Sequence, residues 1–145
     1  MLRRKADYDI VLILRPSSEN KNAFRRHVPT DSIPIGEKGT TEHDGLRIIW
    51  GDLTNYDDVL EAVNEVDYVL HPAAFIAPAA DHNPDLAERI NVGGTKNVIK
   101  AIKEQKGRAE QIKLVYISSV AIYGDRLAPI YWVRTGDPLK PSIYD

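Results

Sequence analysis

Leu114-Val115-Tyr116-Ile117-Ser118-Ser119 is a run of four apolar residues that ends at two serines. An apolar run of this kind predicts a strand of a parallel sheet. In open α/β sheets, ligands bind beyond the carboxyl ends of the strands. The two serine hydroxyls are therefore predicted to lie at the edge of a sheet where a ligand binds.

Apolar runs alternate with helical patterns along the rest of the chain. Strands are predicted over residues 8–14, 46–50, 67–70 and 113–118, and a helix follows the second and the third of them. Residues 15–45 are rich in proline and glycine and lack periodicity, which predicts a loop with at most a short helix near residues 21–26. Strands that alternate with helices predict an α/β fold with a parallel sheet.

Particular positions in the two predicted helices carry further information. Thr54 and Asp57 form a capping-box pattern, which predicts that the first helix begins there. Gly94 lies on the apolar face of the second helix at a cost of about 1 kcal/mol in helix propensity, so we expect another backbone or a ligand to approach it closely. Asn91 is unfavourable inside a helix, and we expect its side chain to bond a specific partner.

The composition limits the class of protein. The chain has 145 residues, of which 43% are hydrophobic, and a net charge of −2, which predicts one globular domain and argues against a nucleic-acid partner. No apolar segment has the length of a membrane span, and the apolar run at residues 10–14 is too short for a signal peptide. The absence of cysteine fits a reducing compartment. We therefore expect a cytoplasmic protein without a membrane partner.

Four short motifs occur in register between residues 51 and 124. They are Gly51-Asp52-Leu53, His71-Pro72-Ala73-Ala74, Asn91-Val92-Gly93-Gly94-Thr95-Lys96-Asn97, and Ser118-Ser119 followed by Ile122-Tyr123-Gly124. In order and spacing they resemble the extended short-chain dehydrogenase/reductases, the NAD-dependent epimerase/dehydratase group. The resemblance implies an incomplete Rossmann-like fold, a doubly wound parallel sheet that is missing its first strand. Residues 1–145 would then form a partial NAD(P)-binding domain without the substrate domain.

Two strand ends are assigned to the adenosine half of a nucleotide cofactor. The resemblance implies that Asp52 and Leu53 contact the adenine, although an aspartate after a strand also commonly caps a turn. Arg15 directly follows the first predicted strand, where dinucleotide-binding folds read the adenosine ribose. An acidic side chain there binds a free 2′-hydroxyl, whereas an arginine matches a 2′-phosphate. The sequence therefore favours NADP over NAD, with a solvated arginine as the alternative.

The other two strand ends are assigned to the rest of the cofactor site. The resemblance implies that the small Ala73 and Ala74 let the chain pass close to the cofactor. His71 precedes them in the same motif and is counted among the cofactor-binding residues, with packing inside the fold as its alternative role. The resemblance also implies that Asn91 holds the loop and active-site geometry and that Ser118 supports the strand end and the cofactor site.

The serine pair also indicates where catalysis would take place. In the family, the serine four residues before the tyrosine of a Tyr-Gly pair is catalytic, which corresponds to Ser119, whereas serines at strand ends commonly have no such role. The family also uses a Tyr-x-x-x-Lys pair, in which the lysine lowers the pKa of the phenol from its ordinary value of about 10. Tyr144 is the candidate tyrosine in this chain, with a tyrosine just beyond Asp145 as the alternative. The lysine and the family's Gly-x-x-Gly-x-x-Gly loop have no counterpart here.

These features lead to two hypotheses about function. The first is a partial NAD(P)-dependent epimerase, dehydratase or reductase, acting on a hydroxyl or keto carbon of a sugar nucleotide or similar substrate and inactive as the isolated chain. The alternative is a non-catalytic nucleotide-binding or protein-interaction module on the same scaffold. No metal is expected, because the four histidines share no ligand spacing.

The missing first strand has a structural consequence. It would lie between the strands at residues 8–14 and 67–70, so its absence leaves unpaired edges in the middle of the sheet. We therefore expect one of three outcomes: association with a second copy, association with the rest of the protein, or closure of the sheet around the gap.

Overall fold

The structure is a computed structural model that describes residues 7–124 and 134–139. In this part of the chain, five strands form two sheets. The first sheet contains β1 (Ile10–Leu14), β2 (Gly39–His43) and β3 (Leu46–Trp50) in the order β1-β3-β2. The second sheet pairs β4 (Tyr68–His71) with β5 (Lys113–Tyr116). The β1–β3 and β4–β5 pairs are both parallel, as predicted for an α/β fold.

Helices follow three of these strands. Helix α1 (Ser18–Phe24) follows β1, and α2 (Tyr56–Val63) follows β3. Between β4 and β5 the chain forms α3 (Ala79–His82), α4 (Pro84–Glu88), a π-helical segment (Arg89–Gly94) and α5 (Thr95–Lys103). The helix predicted after residue 83 is thus interrupted by a π-helical turn. None of the helices within residues 7–124 and 134–139 is both long enough and apolar enough to cross a membrane.

Strand β2 lies in a region where the sequence pattern predicts only a loop. Asp44 and Gly45 form the turn between β2 and β3, with positive φ angles of 50° and 73°, the backbone geometry that suits a tight hairpin. On β2, the hydroxyl oxygen of Thr41 accepts a hydrogen bond of 2.9 Å from the buried indole of Trp50. The loop prediction is therefore wrong at residues 39–43, because a tertiary contact fixes a short polar strand there.

The start of α2 also differs from the prediction. Asn55, not Thr54, is the N-cap residue, and its side-chain oxygen accepts a hydrogen bond of 3.1 Å from the Asp58 amide. The Thr54 hydroxyl instead donates to a carboxylate oxygen of Asp52 at 2.7 Å. The capping-box prediction is therefore wrong, although the helix lies where it is expected.

Helices α2 and α5 form the layer on which both sheets rest. Their core is a cluster of buried aliphatic residues, which are Val59, Val63, Val98, Ala101, Ile102 and Ile112. Ile13 of β1 and Val69 of β4 both pack against this cluster. Burial of each larger aliphatic side chain contributes about 1.5–3 kcal/mol, so this layer is the main link between the two sheets.

The two sheets do not merge into one. Strands β1 and β4 share the helix layer, but they do not hydrogen-bond to each other. β1 pairs only with β3 and β4 only with β5 among the described strands. Closure of the sheet around the gap is therefore wrong for this structure, and the break lies where the first strand is predicted to be missing.

Candidate functional site

The ends of β1 and β3 bring the first two predicted site residues together. The two strands are parallel and in register, with Leu14 opposite Trp50. The amide of Gly51 donates a hydrogen bond of 2.9 Å to the Leu14 carbonyl. Arg15 and Asp52, which follow directly, therefore leave the sheet at the same edge.

The ends of β4 and β5 bring a second group together. His71 lies opposite Tyr116 in the parallel pair, and the amide of Ile117 donates to the His71 carbonyl at 3.4 Å. Ser118 and Ser119 follow at once and are exposed. The histidine motif and the serine motif, which lie more than forty residues apart in the sequence, therefore meet at one edge.

Asp52 caps the turn that follows β3. One oxygen of its carboxylate accepts hydrogen bonds from the Thr54 amide at 2.8 Å and from the Thr54 hydroxyl at 2.7 Å. The Asp52 amide donates to the Asp58 carboxylate at 2.8 Å. The turn-capping role of Asp52 is thus observed, and its contact with an adenine stays a prediction.

Leu53 joins this turn to α5. Its carbonyl accepts a hydrogen bond of 2.8 Å from the side-chain amide of Asn97. A Cβ built on Gly94 would lie 3.1 Å from the Cβ of Leu53. The expected close approach of another chain segment to Gly94 is therefore confirmed, and the segment is the turn that carries Asp52 and Leu53.

His71 points into the fold. Only 5% of this residue is exposed, and its Nε2 lies 3.0 Å from the hydroxyl oxygen of Thr95 on α5. Its ring centroid is 5.8 Å from that of Tyr116. Burial lowers the pKa of His71 from the ordinary value of 6.5, which favours the neutral imidazole at pH 7. The packing role given as the alternative for this histidine is therefore observed.

Asn91 holds the loop after β4 through hydrogen bonds to both backbone groups of Phe75. Its side-chain oxygen accepts a hydrogen bond of 2.7 Å from the Phe75 amide, and its side-chain nitrogen donates one of 3.0 Å to the Phe75 carbonyl. Asn91 lies in the π-helical segment, a feature that occurs often at functional sites. The expectation that Asn91 bonds a specific partner is therefore confirmed. The partner is the backbone of Phe75, which follows the exposed Ala73 and Ala74.

Arg15 is exposed and has no ion pair within the described part of the chain. Its carbonyl accepts hydrogen bonds from the Ser17 amide at 2.7 Å and from the Asn20 side chain at 2.8 Å. Ser17 caps α1 and accepts a hydrogen bond of 3.2 Å from the Asn20 amide. The backbone around Arg15 is thus fixed, while its guanidinium faces solvent.

A cleft of about 210 Å³ lies beside α1, and sequence reasoning gives no sign of it. Its lining residues are Ser18, Lys21, Asn22, Thr30, Asp31, Ile33, Pro34 and Ile35. Lys21 is only 6% exposed, and its ammonium group donates to the Ile33 carbonyl and, at 2.8 Å, to the Pro34 carbonyl. Asp31 lies 3.5 Å from Arg25 in an ion pair.

The predicted catalytic residues are only partly covered by the structure. Ser119 lies directly before the 3₁₀ turn at Val120–Tyr123, and its carbonyl accepts a hydrogen bond of 3.5 Å from the Ile122 amide. Tyr144 lies outside the described residues. Within residues 7–124 and 134–139, no three His, Cys, Asp or Glu residues come together as a group that could hold a metal ion.

The sequence profile of the NAD-dependent epimerase/dehydratase family matches residues 2–142, almost the whole chain. The chain belongs to this family. The family assignment agrees with the four motifs, which now lie at the carboxyl ends of β3, β4 and β5 and in the helix that clamps the loop after β4.

Two curated relatives resemble the chain at moderate identity. The dTDP-glucose 4,6-dehydratase of Mycobacterium tuberculosis is 34% identical over 115 residues, which cover 72% of this chain and 33% of that enzyme. The decarboxylating sterol-4-alpha-carboxylate 3-dehydrogenase of Saccharomyces cerevisiae is 34% identical over 90 residues, which cover 61% of this chain and 24% of that enzyme. The chain therefore spans about a quarter to a third of the length of these relatives.

Solved structures of other proteins share the fold. RMD from Pseudomonas aeruginosa, in complex with NADPH, has a TM-score of 0.57 and 19% identity, with 91% of this chain and 42% of that chain covered. A short-chain dehydrogenase/reductase superfamily protein from Agrobacterium tumefaciens, with bound NAD, has a TM-score of 0.55 and 24% identity, with 91% and 39% covered. The predicted fold class, an incomplete Rossmann-like α/β fold, is confirmed.

Proposed function

We propose that this chain forms part of an NAD(P)-dependent epimerase, dehydratase or reductase that acts on a hydroxyl or keto carbon of a sugar nucleotide or similar substrate. The observation that carries the proposal is the clamp of Asn91 on Phe75. The clamp fixes the loop of Ala73 and Ala74 at the end of β4, next to the exposed Ser119 at the end of β5. Ligands of parallel α/β sheets bind at this edge, and the family and its sugar-nucleotide and sterol relatives fit the same class of reaction.

For the adenosine half of the cofactor, we assign the contacts to Arg15, Asp52 and Leu53. The turn of Asp52 and Leu53 is fixed by Thr54 and by α5, so it would offer a preorganised surface to a base. The guanidinium of Arg15 is exposed and has no ion pair within the described residues, which supports a 2′-phosphate as its partner and hence NADP over NAD.

For the nicotinamide half, we assign the contacts to the backbone around Ala73 and Ala74 and to Ser118. Neither alanine has a side chain beyond Cβ, and both are exposed, so a flat ring could pass close to the backbone. His71 contributes indirectly, since its ring is buried against Thr95 and not turned toward the exposed edge.

In the proposed mechanism, the nicotinamide supplies the hydride chemistry when it is bound. The hydroxyl of Ser119 would hydrogen-bond the reacting oxygen of the substrate and orient it. The phenol of Tyr144 would exchange the hydroxyl proton, which requires a nearby cation because the ordinary pKa of tyrosine is about 10. The chain by itself is expected to be inactive, since its sequence contains no Tyr-x-x-x-Lys pair.

A nucleotide titration tests the proposal. The fluorescence of NADPH should show saturable binding to the chain. The melting temperature of the protein should rise with either oxidised nucleotide, and it should rise more with NADP⁺ than with NAD⁺. Arg15→Gln should weaken NADP⁺ binding by about tenfold, the scale of one charge-assisted hydrogen bond, and leave NAD⁺ binding nearly unchanged. Arg89→Gln, at another exposed arginine, is the matched control. Absence of binding by either nucleotide would refute the nucleotide site, whereas tighter binding of NAD⁺ would refute only the preference for NADP.

A protein-interaction module is the second candidate, and a different observation favours it. The unpaired edges of β1 and β4, together with exposed apolar residues on β4 and β5, leave part of the described structure without cover. Such edges and patches pair readily with other chains. Association with a second copy or with the rest of the protein would supply that cover.

A further inference from the structure

The loop after β4 is held at both of its ends by the same helical turn. At its first end, the buried ring of His71 lies 3.0 Å from the Thr95 hydroxyl. At its second end, both backbone groups of Phe75 bond the side chain of Asn91. The Thr95 hydroxyl in turn donates to the Asn91 carbonyl at 2.6 Å. Four residues are thus connected in one chain of hydrogen bonds.

The direction of each hydrogen bond follows from the chemistry of the groups. A carbonyl only accepts, so the single hydroxyl proton of Thr95 is used toward Asn91. The Thr95 oxygen can then only accept from His71, which places the ring proton on Nε2. A buried histidine at neutral pH carries one ring proton, and this contact fixes where that proton is. The contact with Thr95 therefore fixes the tautomer of His71.

The Thr95 hydroxyl bonds the Asn91 carbonyl inside the π-helical segment. In an α-helix, each carbonyl accepts from the amide four residues later, whereas the wider π-turn shifts that partner to the fifth residue. The Thr95 side chain, four residues after Asn91, supplies a donor to the Asn91 carbonyl in this turn. With its backbone held in this way, Asn91 can direct its amide side chain to Phe75.

We infer that His71 and Thr95 are positioning residues, which act through Asn91 to hold the loop of Ala73 and Ala74 in the place where the proposed cofactor passes. This inference rests on the proposed function for the identity of the ligand, but not for the hydrogen-bond chain itself. Neither residue needs to touch the cofactor. Their effect is to keep the loop backbone in one conformation before the ligand arrives, which lowers the entropic cost of binding.

The test compares Thr95→Val, which keeps the shape and removes the hydroxyl, with Thr95→Ser, which keeps the hydroxyl. Thr95→Val should speed amide hydrogen exchange of Phe75 by about tenfold, the effect of losing a hydrogen bond of ordinary strength, and Thr95→Ser should restore slow exchange. Thr40→Val removes a hydroxyl that donates to Glu61 at 2.9 Å on another part of the surface, and it should leave Phe75 unchanged. The amide of Ile48 in β3 reports whether each variant keeps its global stability.

Two further measurements separate this inference from the proposed function. Imidazole ¹⁵N chemical shifts of the unmodified protein should show the proton of His71 on Nε2; a proton on Nδ1 would overturn the inference without any variant. Unchanged exchange of Phe75 in Thr95→Val would also overturn it. NADPH affinity is a separate measurement: a chain that shows the exchange effect but does not bind NADPH would refute the proposed function and leave the hydrogen-bond chain intact.

Discussion

Glycine at position 51 allows β3 to lead into the Asp52 turn without a steric conflict. A Cβ at this position would lie 2.6 Å from a carboxylate oxygen of Asp58 and 2.7 Å from its Cβ. Asp58 is held in place, because its carboxylate accepts from the Asp52 amide at 2.8 Å and forms an ion pair of 2.8 Å with Lys38. The geometry of the proposed adenine site therefore depends on the absence of one methyl group.

Replacing this glycine should destabilise the protein. We expect Gly51→Ala to lower the free energy of unfolding by about 1–3 kcal/mol, as for other overpacked positions. Gly93→Ala is the matched control, since a Cβ there meets no atom within 4 Å and alanine favours a helix by up to about 1 kcal/mol. Urea unfolding of the two variants checks the difference, and equal effects would contradict the steric explanation.

Single residues differ in how far the sequence predicts their role. Asn91 and Gly94 stand out because each is unfavourable in a helix, and both have the kind of contact that this predicts. Lys21 gives no such signal, because lysine is almost always exposed. Its burial depends on the carbonyls of Ile33 and Pro34, which lie twelve or more residues away and reach it only in the folded chain.

At the scale of elements, α2 and α5 are joined at the surface by the side chain of Tyr56. The phenol donates a hydrogen bond to the Glu104 carboxylate, and the Lys100 ammonium lies 3.8 Å from the ring centroid. The hydrogen bond to Glu104, with smaller contributions from desolvation and from carboxylate charges, raises the pKa of Tyr56 to about 12. The phenol therefore holds its proton more tightly in the folded state than in the unfolded state.

This pKa predicts a dependence of stability on alkaline pH. The unfolded tyrosine titrates at about 10, so the contribution of Tyr56 is complete below pH 10 and is lost as the pH rises through about 12. Tyr56→Phe should remove that part of the decline in the free energy of unfolding, whereas Tyr68→Phe, at an exposed residue of β4, should retain it. Denaturant unfolding at several pH values measures the effect. An identical decline in Tyr56→Phe and the unmodified protein would contradict it.

Local sequence patterns predict the strands and helices whose apolar residues recur regularly along the element. The apolar runs place β3 at the observed residues and the other three parallel strands to within two residues at either end. They miss β2, because its polar sequence is fixed by the Asp44-Gly45 turn and by the contact of Thr41 with Trp50. They also miss the π-helical turn, in which the side chain of Asn91 bonds the backbone of Phe75, sixteen residues away in the sequence.

At the scale of the molecule, the β4–β5 sheet has one open face and one face that the helix layer covers only in part, since Leu114 and Tyr116 on that side are still 37% and 56% exposed. Val69 packs against the helix layer. On the opposite side, Tyr68, Leu70, Val115 and Ile117 are 62%, 45%, 43% and 58% exposed, and Leu70 lies opposite Val115 in the strand register. The described residues thus combine an apolar face with the unpaired edges of β1 and β4, as expected for a sheet that is missing its first strand.

A second copy of the chain is the partner that can be tested directly. We expect the chain to self-associate as its concentration rises, because pairing would bury the apolar face and satisfy the strand edges. Sedimentation velocity should show this association, and the double variant Leu70→Lys with Val115→Lys should shift the chain toward the monomer. The double variant Ile35→Lys with Ile76→Lys adds the same charge at positions that are 67% and 71% exposed outside the strands, and it should associate like the unmodified chain. A monomer at every concentration, with amides of β1 and β4 protected from exchange, would exclude pairing between copies, because those edges would then be covered within a single chain.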